Sequence, residues 1–543
     1  MNVLTDPLLR VETPEGPERM TLPGLMAALG KDRVEALTGI QRHQEDAFHV
    51  FLCQLGAIIL ARNGDDDPVQ DEDYWREGLR MLAGEAGDDA WTLVVDDPSR
   101  PAFLQPPCEG IKFSISSTSP DVFDTTEVSK NHDVKMARGV RPENDLWIYA
   151  LISSNANSSY SKGGKHGFYF ATIKAQKNRI GRVYVRPSVT GRMGRQFRFD
   201  IACLLKYRPI VLEKEYGYSN DGIALTWTSN PQKARQLQLN ELDPFFIETS
   251  RQYRLFSSNN AITGRGAPSV KPLIFRHKAL NGNVGDPYSP VNLSDSSVIS
   301  VSNRGWRAEL LHSIVFEKGI WTPLLLISQS MAEESLVIHC GSIARSKNGS
   351  EGYHSKILPI PKPIVGLFLR PKAELKPIAD MSRAAIAEVA RKIERILTTS
   401  LLAYLHVSED FRDQKTKKLD WADKKWRKKA LKKHGPWLNR NAGPMARFTQ
   451  LWSDAYFPWL WNAIESGELD HEEGRMRALD DWTLYLRDSA LDMLHESVKE
   501  LPHRTGRQWL PVIEALRVFN QAFYSTYNFP HLKEEPNARA ASN

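Results

Sequence analysis

The chain changes character at a proline-rich passage, Pro359–Pro363. Before it, from about Trp91 onward, short β-branched and aromatic runs alternate with glycine, proline, asparagine and serine turns. After it, apolar residues recur every three or four positions, which is the spacing of amphipathic helices. This division predicts an α+β fold. We expect an irregular mixed N-terminal domain with long loops over residues 1–378 and a C-terminal helical bundle over residues 379–543.

The C-terminal part predicts four or five helices with short connections, typical of an up-and-down bundle of the four-helix type. The first begins near Ser382, and others follow at about 420–433, 445–465, 475–499 and 507–525. Large aromatic residues within them are expected to form the core: Trp452, Phe457, Trp461, Trp482, Phe519 and Phe523. In the N-terminal part, residues 44–61 predict a buried helix and residues 74–82 a second one.

Length and composition set the general class of the protein. A chain of 543 residues exceeds what one hydrophobic core organises, so we expect two or three domains. Its four cysteines lie far apart, without the spacing of a zinc ribbon or a disulfide framework, and fit a reducing cytoplasm. We see no membrane-length apolar run and no export signal. We therefore expect a soluble cytoplasmic protein with no cofactor, no metal and no membrane contact.

Positive charge is concentrated between Ser158 and Arg208, where twelve cations accompany one acid, Asp200. A turn of small residues, Asn157–Lys165, holds two of them, Lys162 and Lys165. The ten that follow it are Lys174, Lys177, Arg179, Arg182, Arg186, Arg192, Arg195, Arg198, Lys206 and Arg208. Cations attract a phosphate backbone, and glycine lets a main chain approach a groove closely. A nucleic acid is therefore the first partner we expect; the alternative is a solvated basic face on an ordinary enzyme.

A second basic run, Lys415–Lys433, lies in the helical part and holds ten cations. A helix this basic can track phosphates along a strand. It can equally be a solvated surface helix, and the sequence leaves both interpretations open.

Motifs that carry known chemistry are absent from the sequence: there is no P-loop, dinucleotide fingerprint, His-Glu-x-x-His or Gly-x-Ser-x-Gly. One fragment, Asn131-His132-Asp133, holds residues that can bind a metal or activate water. The signal is weak, because adjacent side chains point in different directions on a strand or helix. The sequence thus favours a binding protein without catalytic residues. The alternative is a stand-alone metal-dependent nuclease that uses His132 and Asp133.

Several segments together resemble the large subunit of the type I-E CRISPR surveillance complex Cascade, the CasA family. Asn2–Pro7 followed by Thr21–Leu25 looks like the opening strand and first helix of that family. Pro101–Gln105 is similar to its Pro-Phe-Leu-Gln element, and Gly285–Pro290 to another shared turn. The layout is also similar, with a mixed N-terminal body and a C-terminal helical bundle.

The resemblance implies a subunit that binds DNA without catalysing a reaction. In the family, the large subunit works with other Cascade subunits and a CRISPR guide RNA. It recognises a protospacer-adjacent motif in double-stranded DNA from the minor groove and starts strand separation, while base pairing reads the rest of the target. It later docks a helicase-nuclease. We therefore expect these four kinds of partner for this chain.

The resemblance also implies site residues. The motif-reading loop falls on Ser159, Tyr160, Ser161, Lys162, Gly163 and Gly164. A basic finger falls on Arg276, Lys271 or Lys278, with Arg276 slightly preferred. A strand-separating wedge falls on the tight turn of Lys347, Asn348 and Gly349. A loop toward the guide RNA or a backbone subunit, Asp124–Arg141, includes Asn131, His132 and Lys135.

Plainer interpretations stand beside these assignments. The motif loop can be a flexible surface turn, and the wedge an ordinary exposed hairpin whose lysine and asparagine replace the glutamine of the family. At least two of the three finger candidates are expected to be surface cations. A third class of function, a helical scaffold that binds only proteins, predicts that reversing the charge of Lys162, Lys165 and Lys177 leaves DNA affinity intact.

Overall fold

The structure is a computed structural model. It describes residues 1–113, 115–124, 142–157, 172–175, 181–188, 193–230, 235–258, 261–267, 272–302, 304–317, 319–322, 335–346, 349–369, 374–410, 424–440, 442–500 and 509–528. The chain divides into two compact units. The N-terminal unit comprises Met1–Trp306 with Ser313–Leu369, and the helical unit comprises Arg307–His312 with Arg370–Asn543.

The N-terminal unit mixes helices with small sheets, which confirms the α+β class. Its helices are α1 (Leu22–Gly30), α2 (Arg42–Asn63), α3 (Glu72–Ala83), α4 (Asn144–Ala156) and α5 (Met193–Leu212). Two shorter helices follow, α6 (Ala308–Phe316), whose first residues belong to the helical unit, and α7 (Lys362–Val365). Short 3₁₀ segments include Gly84–Trp91, Pro120–Phe123, Thr226–Thr228, Leu239–Glu241, Lys278–Leu280 and Gly366–Leu369.

The strands are short apart from one long hairpin. They are β1 (Leu9–Thr13), β2 (Gly16–Met20), β3 (Ala36–Leu37), β4 (Ile115–Ser117), β5 (Arg182–Pro187), β6 (Ile223–Leu225), β7 (Leu242–Ile247), β8 (Tyr253–Ser258), β9 (Ala261–Gly266), β10 (Val291–Asn292), β11 (Ser297–Val298), β12 (Ile320–Trp321), β13 (Leu336–Ser346) and β14 (Gly349–Ile360). Their sheet orders are β2-β1-β3, β4-β9-β8, β11-β10-β12, β14-β13-β5 and the parallel pair β6-β7.

Helix α2 is the centre of the N-terminal core. It packs against α3, α4, α5, β7 and β13. A capping box between Gln41 and Gln44 begins it, and the left-handed Gly64 ends it. The predicted apolar face is confirmed, since Phe48, Phe51, Leu52, Leu55, Ile58 and Ile59 are all buried. The helix also buries five polar side chains, which the apolar periodicity does not predict: His43, Gln44, Asp46, His49 and Gln54.

Two of the family-like motifs have local structural roles. The Thr21 hydroxyl accepts a hydrogen bond from the Gly24 amide and caps α1. Gln105 is buried; its amide donates to the carbonyls of Leu93 and Phe103, and its Oε1 accepts from the Leu255 amide. These side-chain hydrogen bonds satisfy backbone amides and carbonyls that are not paired within helices or sheets.

The opening segment differs from its predicted form. Asn2–Pro7 is mostly a turn, in which the Leu4 amide donates to Asn2 Oδ1 and the Asn2 amide donates to Asp6 Oδ2. Only an isolated bridge joins Asn2 to Thr92, and the first strand of the chain as described is β1, from Leu9. The expectation of an opening strand was wrong because these side chains compete for the backbone.

The helical unit is built around one long helical segment. It consists of α8 (Lys376–Ala384), a π-helical stretch Ala385–Ala390, and α9 (Arg391–Asp410). The remaining helices are α10 (Lys424–Leu438), α11 (Pro444–Glu465), α12 (Glu472–Lys499) and α13 (Trp509–Thr526), with a 3₁₀ turn at Glu468–Asp470. All four of these helices contact α9. The six predicted core aromatics are buried, which confirms them.

The first helix of this unit begins six residues before the predicted Ser382, since Pro377 lies in its first turn, where a missing amide costs nothing. The helix widens at the π-helical stretch, where the Ala385 carbonyl accepts a hydrogen bond from the Trp482 indole. None of the described helices is both long and apolar enough to cross a membrane.

Candidate nucleic-acid interface

Most of the predicted site residues lie outside the described residues. They are Asn131, His132, Lys135, Ser159, Tyr160, Ser161, Lys162, Gly163, Gly164, Lys271, Lys347 and Asn348. The structure does describe the chain on both sides of the segments that hold them. The candidate interface is therefore described by the residues that flank these segments, which we call their anchors.

The N-terminal anchor of segment 158–171 is Asn157, at the end of α4. Arg182, the first residue of β5, donates hydrogen bonds to Asn157 Oδ1 at 2.8 Å and to the Ala156 carbonyl at 2.6 Å. The same guanidinium lies 3.1 Å from Asp46 Oδ2 on α2. Burial alone would raise the pKa of Asp46, but the His339 imidazole and the Arg182 charge hold that pKa well below its usual range. The anchor is thus a buried ion pair.

The C-terminal anchor of the same segment is the buried carboxylate of Glu248. It accepts hydrogen bonds from the Ile173 amide at 2.8 Å and from the Thr172 hydroxyl at 2.5 Å. Burial raises the pKa of Glu248, although the nearby Lys174 charge opposes the rise. Lys174 Nζ lies 2.9 Å from Asp286 Oδ2 and 4.6 Å from the centre of the Phe246 ring. Charged side chains therefore hold residues 172–174 in place.

The two anchors share one cavity wall. Asn155 and Ala156 from one side, and Thr172 and Lys174 from the other, line a small cavity of about 50 Å³ that is partly open to solvent. Arg182, Glu248 and Asp286 line it as well. The residues that flank segment 158–171 therefore lie on one pre-organised base.

Arg276, the preferred finger candidate, contacts this base. Its guanidinium donates to the carbonyls of Thr172 and Ala175, both at 2.7 Å. Arg276 is half-buried, whereas Lys278 is exposed in a short 3₁₀ turn. Arg276 thus positions the chain at residues 172–175. Which of the three candidates is the basic finger stays a prediction.

The segment that holds Asn131, His132 and Lys135 also lies between buried carboxylates. Before it, Asp124 accepts hydrogen bonds from the Gln44 amide at 2.6 Å and the Ser153 hydroxyl at 3.1 Å, and lies 2.9 Å from His43 Nε2. Burial would raise the pKa of Asp124, but these partners, His43 above all, lower it to about 2. After it, Asp145 at the start of α4 forms a two-pronged ion pair with Arg10 at 2.7 and 3.1 Å.

Three cations of the basic stretch are buried. This corrects the interpretation of the whole stretch as an exposed basic surface. Lys174, Arg182 and Arg208 are only 9%, 4% and 3% exposed. Each has an acidic partner from a distant part of the chain: Asp286, Asp46 and Asp243. These three cations stabilise the fold and do not offer charge to a phosphate. The acids lie outside the stretch, so counting charge within it cannot find them.

The predicted hairpin is confirmed by the antiparallel pairing of β13 with β14. The strands pair from Leu336 with Ile360 to Ser346 with Gly349, so residues 347 and 348 connect them. The third strand, β5, pairs with β13 only as far as Gly341. Beyond that point β13 pairs with β14 but with no other described strand, and Ile343 and Ala344 of β13 are buried. The role of a wedge stays a prediction.

In the helical unit, α10 matches the second basic run from Lys424 onward. Lys425, Lys428, Lys429, Lys432 and Lys433 are exposed on it. We call these five residues the α10 lysine face. Trp426 packs edge-on against His406 of α9, with ring centres 5.8 Å apart, and this contact attaches the helix to α9.

The sequence missed Glu248, Asp46 and Arg182 as site-supporting residues. Arg182 was named only as a cation of the basic stretch, and Asp286 only as part of the Gly285–Pro290 turn. There its carboxylate accepts hydrogen bonds from the Tyr288 amide at 3.0 Å and the Ser289 hydroxyl at 3.2 Å while pairing with Lys174.

Comparison of the whole fold with known structures extends this picture. CasA from Thermus thermophilus superposes with a TM-score of 0.58 at 13% sequence identity, covering 97% of this chain and 99% of that chain. Cse1 from Thermobifida fusca gives a TM-score of 0.59 at 13% identity, covering 97% and 98%. A chain of a CRISPR RNA-guided surveillance complex gives 0.52 at 11% identity, covering 97% and 99%.

Sequence comparison adds nothing to these matches: no protein-family model and no curated protein matches the chain. The structural matches extend over both units and over almost the full length of each chain compared. The resemblance inferred from short motifs is thus confirmed at the level of the fold. The chain has the fold of the CasA (Cse1) proteins.

Proposed function

We propose that this protein is the large, non-catalytic subunit of an RNA-guided DNA surveillance complex of the CRISPR type. It recognises a short motif in double-stranded DNA beside the target, starts strand separation, and docks a helicase-nuclease. The observation that carries the proposal is the shared fold across 97% of this chain and 99% of the Thermus thermophilus CasA chain. Because one fold can host several functions, the local geometry must support the same role.

The base of segment 158–171 supports motif recognition. This segment contains Gly163 and Gly164, and both of its ends are held by buried charges. A fixed base lowers the entropy that a loop loses when it binds. A slender glycine-containing backbone suits the minor groove, whose readout distinguishes mainly A·T from G·C pairs. We assign motif reading to Ser159–Gly164, with Arg276 positioning the base of the segment.

The β13–β14 hairpin supports strand separation. Opening a base step costs a few kcal/mol, so the element that does so must resist bending. Long paired strands with buried Ile343 and Ala344 meet that requirement. We assign the wedge to Lys347 and Asn348 at the connection. The α10 lysine face provides a sequence-independent surface for the displaced strand.

Co-assembly tests the proposal first. The chain is mixed with the other subunits and guide RNA of a CRISPR locus from the same genome, and the complex is isolated by size. We expect a stoichiometric complex that binds target duplex only when the flanking motif is present. A chain that fails to assemble, or that cleaves DNA alone with a divalent metal in a manner abolished by His132→Ala, would contradict the proposal.

Substitution within the loop tests its location. Gly163→Val should weaken binding to motif-containing duplex much more than binding to duplex that lacks the motif, because a side chain blocks approach to the groove. Gly319→Val is the matched control, since Gly319 is exposed and has no atom within 4 Å of an added Cβ. Equal loss on both duplexes would remove the motif-reading role from this segment.

A further inference from the structure

A buried group of metal-ligating side chains lies between α2 and α5. His49 and Cys53 are one turn apart on α2, and Asp200 lies on α5. His49 Nε2 is 2.7 Å from Asp200 Oδ2 and 3.6 Å from Cys53 Sγ. One ligand atom from each residue lies within 4.8 Å of the other two, and all three residues are buried.

A second observation concerns the charge balance of Asp200. Its Oδ1 is buried and has no hydrogen-bond partner. Among the described residues, the ion-pair partner of Asp200 is His49 alone. Other buried carboxylates of the unit, Asp46, Asp145 and Asp243, each face an arginine guanidinium. A buried carboxylate costs several kcal/mol unless its charge is compensated. Asp124 also faces only a histidine, but Gln44 and Ser153 donate to its oxygens as well, whereas Asp200 leaves Oδ1 without a donor.

We propose that His49 Nε2, the Cys53 thiolate and the Asp200 carboxylate bind a divalent zinc-class cation, with water in the fourth position. Imidazole, thiolate and carboxylate together favour zinc over magnesium or calcium. Tetrahedral zinc, with about 2.3 Å to sulfur and about 2.1 Å to nitrogen, separates those two atoms by about 3.6 Å. The observed separation of 3.6 Å between Cys53 Sγ and His49 Nε2 fits that geometry.

Binding requires one adjustment and one proton release. In the metal site the imidazole nitrogen and the carboxylate oxygen would separate to about 3.4 Å, as the ion replaces the hydrogen between them. The Cys53 thiol would lose its proton, so affinity should increase with pH. One dication with a thiolate and a carboxylate is electrically neutral, which suits a buried site. The ion would join α2 to α5.

This inference revises the expectation from the sequence that no metal is bound. That expectation depended on the absence of paired cysteines. Here one cysteine is combined with His49 from its own helix and with Asp200 from a distant helix, since His49 and Asp200 are 151 residues apart. No local spacing rule connects these residues.

Metal content and cobalt substitution test the site on the full-length chain. The protein is purified without chelators, dialysed against zinc and then buffer, and analysed by mass spectrometry for bound metal. We expect about one equivalent of zinc, and in the Co²⁺ form a charge-transfer absorption that requires a thiolate ligand. Cys53→Ser and Asp200→Asn should each lower zinc affinity at least about tenfold, because even outer-shell changes cost that much.

Cys340→Ser is the matched control, since Cys340 is equally buried but lies outside the group. It should retain zinc and the cobalt absorption. Asp200→Asn preserves the shape of the side chain, so it reports on binding even if Cys53→Ser does not fold. Folded wild-type protein that takes up no zinc and gives no cobalt–thiolate absorption would overturn the proposal. So would unchanged zinc affinity in both ligand variants.

Discussion

Replacing Arg182 tests whether the basic stretch supports the fold or contacts DNA. Arg182→Met keeps an apolar stem of similar length but removes the guanidinium. The protein loses the 3.1 Å ion pair with Asp46 and the hydrogen bonds to Asn157 and the Ala156 carbonyl. Asp46 stays buried with the Tyr184 hydroxyl at 2.9 Å and His339 Nε2 at 3.4 Å as its remaining partners.

The expected cost follows from removing the arginine partner of a buried carboxylate. Removing one partner of a buried ion pair typically costs about 3–5 kcal/mol, and we expect this loss in the free energy of unfolding of the N-terminal unit. That is a large share of the roughly 5–15 kcal/mol that stabilises a typical domain. The double variant Asp46→Asn with Arg182→Met also removes the carboxylate charge. Its loss of unfolding free energy should therefore be about 1–3 kcal/mol smaller than the sum of the losses in the two single variants.

Hydrogen exchange in increasing urea, followed by mass spectrometry, is the suitable assay because peptides from the two units are read separately. Lys278→Gln, at an exposed position, should change the unfolding free energy by no more than about 0.5 kcal/mol. An equally small change for Arg182→Met would refute the buried-anchor interpretation. If Arg182 contacted a phosphate, Arg182→Met would reduce the slope of log DNA affinity against log salt concentration, measured on the assembled complex, by about 0.9. We expect that slope to stay unchanged.

Three further predictions concern the helical unit. Burial, with a smaller effect of Arg383, lowers the pKa of His312 from 6.5 to about 4, so the unfolded chain takes up this proton before the folded one. Stability should therefore fall by about 3 kcal/mol as the pH decreases from about 6.5 to about 4, and His312→Asn should remove this part of a pH series of urea titrations. Glu394→Ala leaves the Trp452 indole and the Thr449 hydroxyl without their acceptor and should cost about 2–4 kcal/mol by urea unfolding; a loss under about 1 kcal/mol would contradict the contact. Replacing Lys428, Lys429 and Lys432 of the α10 lysine face by glutamine should reduce the salt slope of DNA binding by the complex by up to about 2, whereas an unchanged slope would identify a solvated helix.

Local patterns predicted the parts of the fold that depend on local physics. The apolar spacing of 44–61 identified α2, and the aromatic spacing identified the core of the helical unit. The turn at 347–349 identified the hairpin because its residues suit a tight connection. Each of these signals is contained within a few turns of helix or a few residues of strand.

Long-range pairing could not be predicted in the same way. Arg182 and Asp46 are 136 residues apart, and Arg208 and Asp243 belong to different elements. A count of charge along the chain therefore mistook buried ion pairs for a basic surface. The strand expected at Asn2–Pro7 was also wrong. Side-chain hydrogen bonds to the backbone form a turn there instead.

The most direct test of the central claim is motif selection by the assembled complex. A library of target duplexes with randomised bases beside the target is bound by the complex, and the bound fraction is sequenced. We expect strong enrichment of a short motif, and its loss on Gly163→Val with retention on Gly319→Val. Uniform recovery of all flanking sequences by the wild-type complex would contradict the claim that this protein reads DNA beside the target.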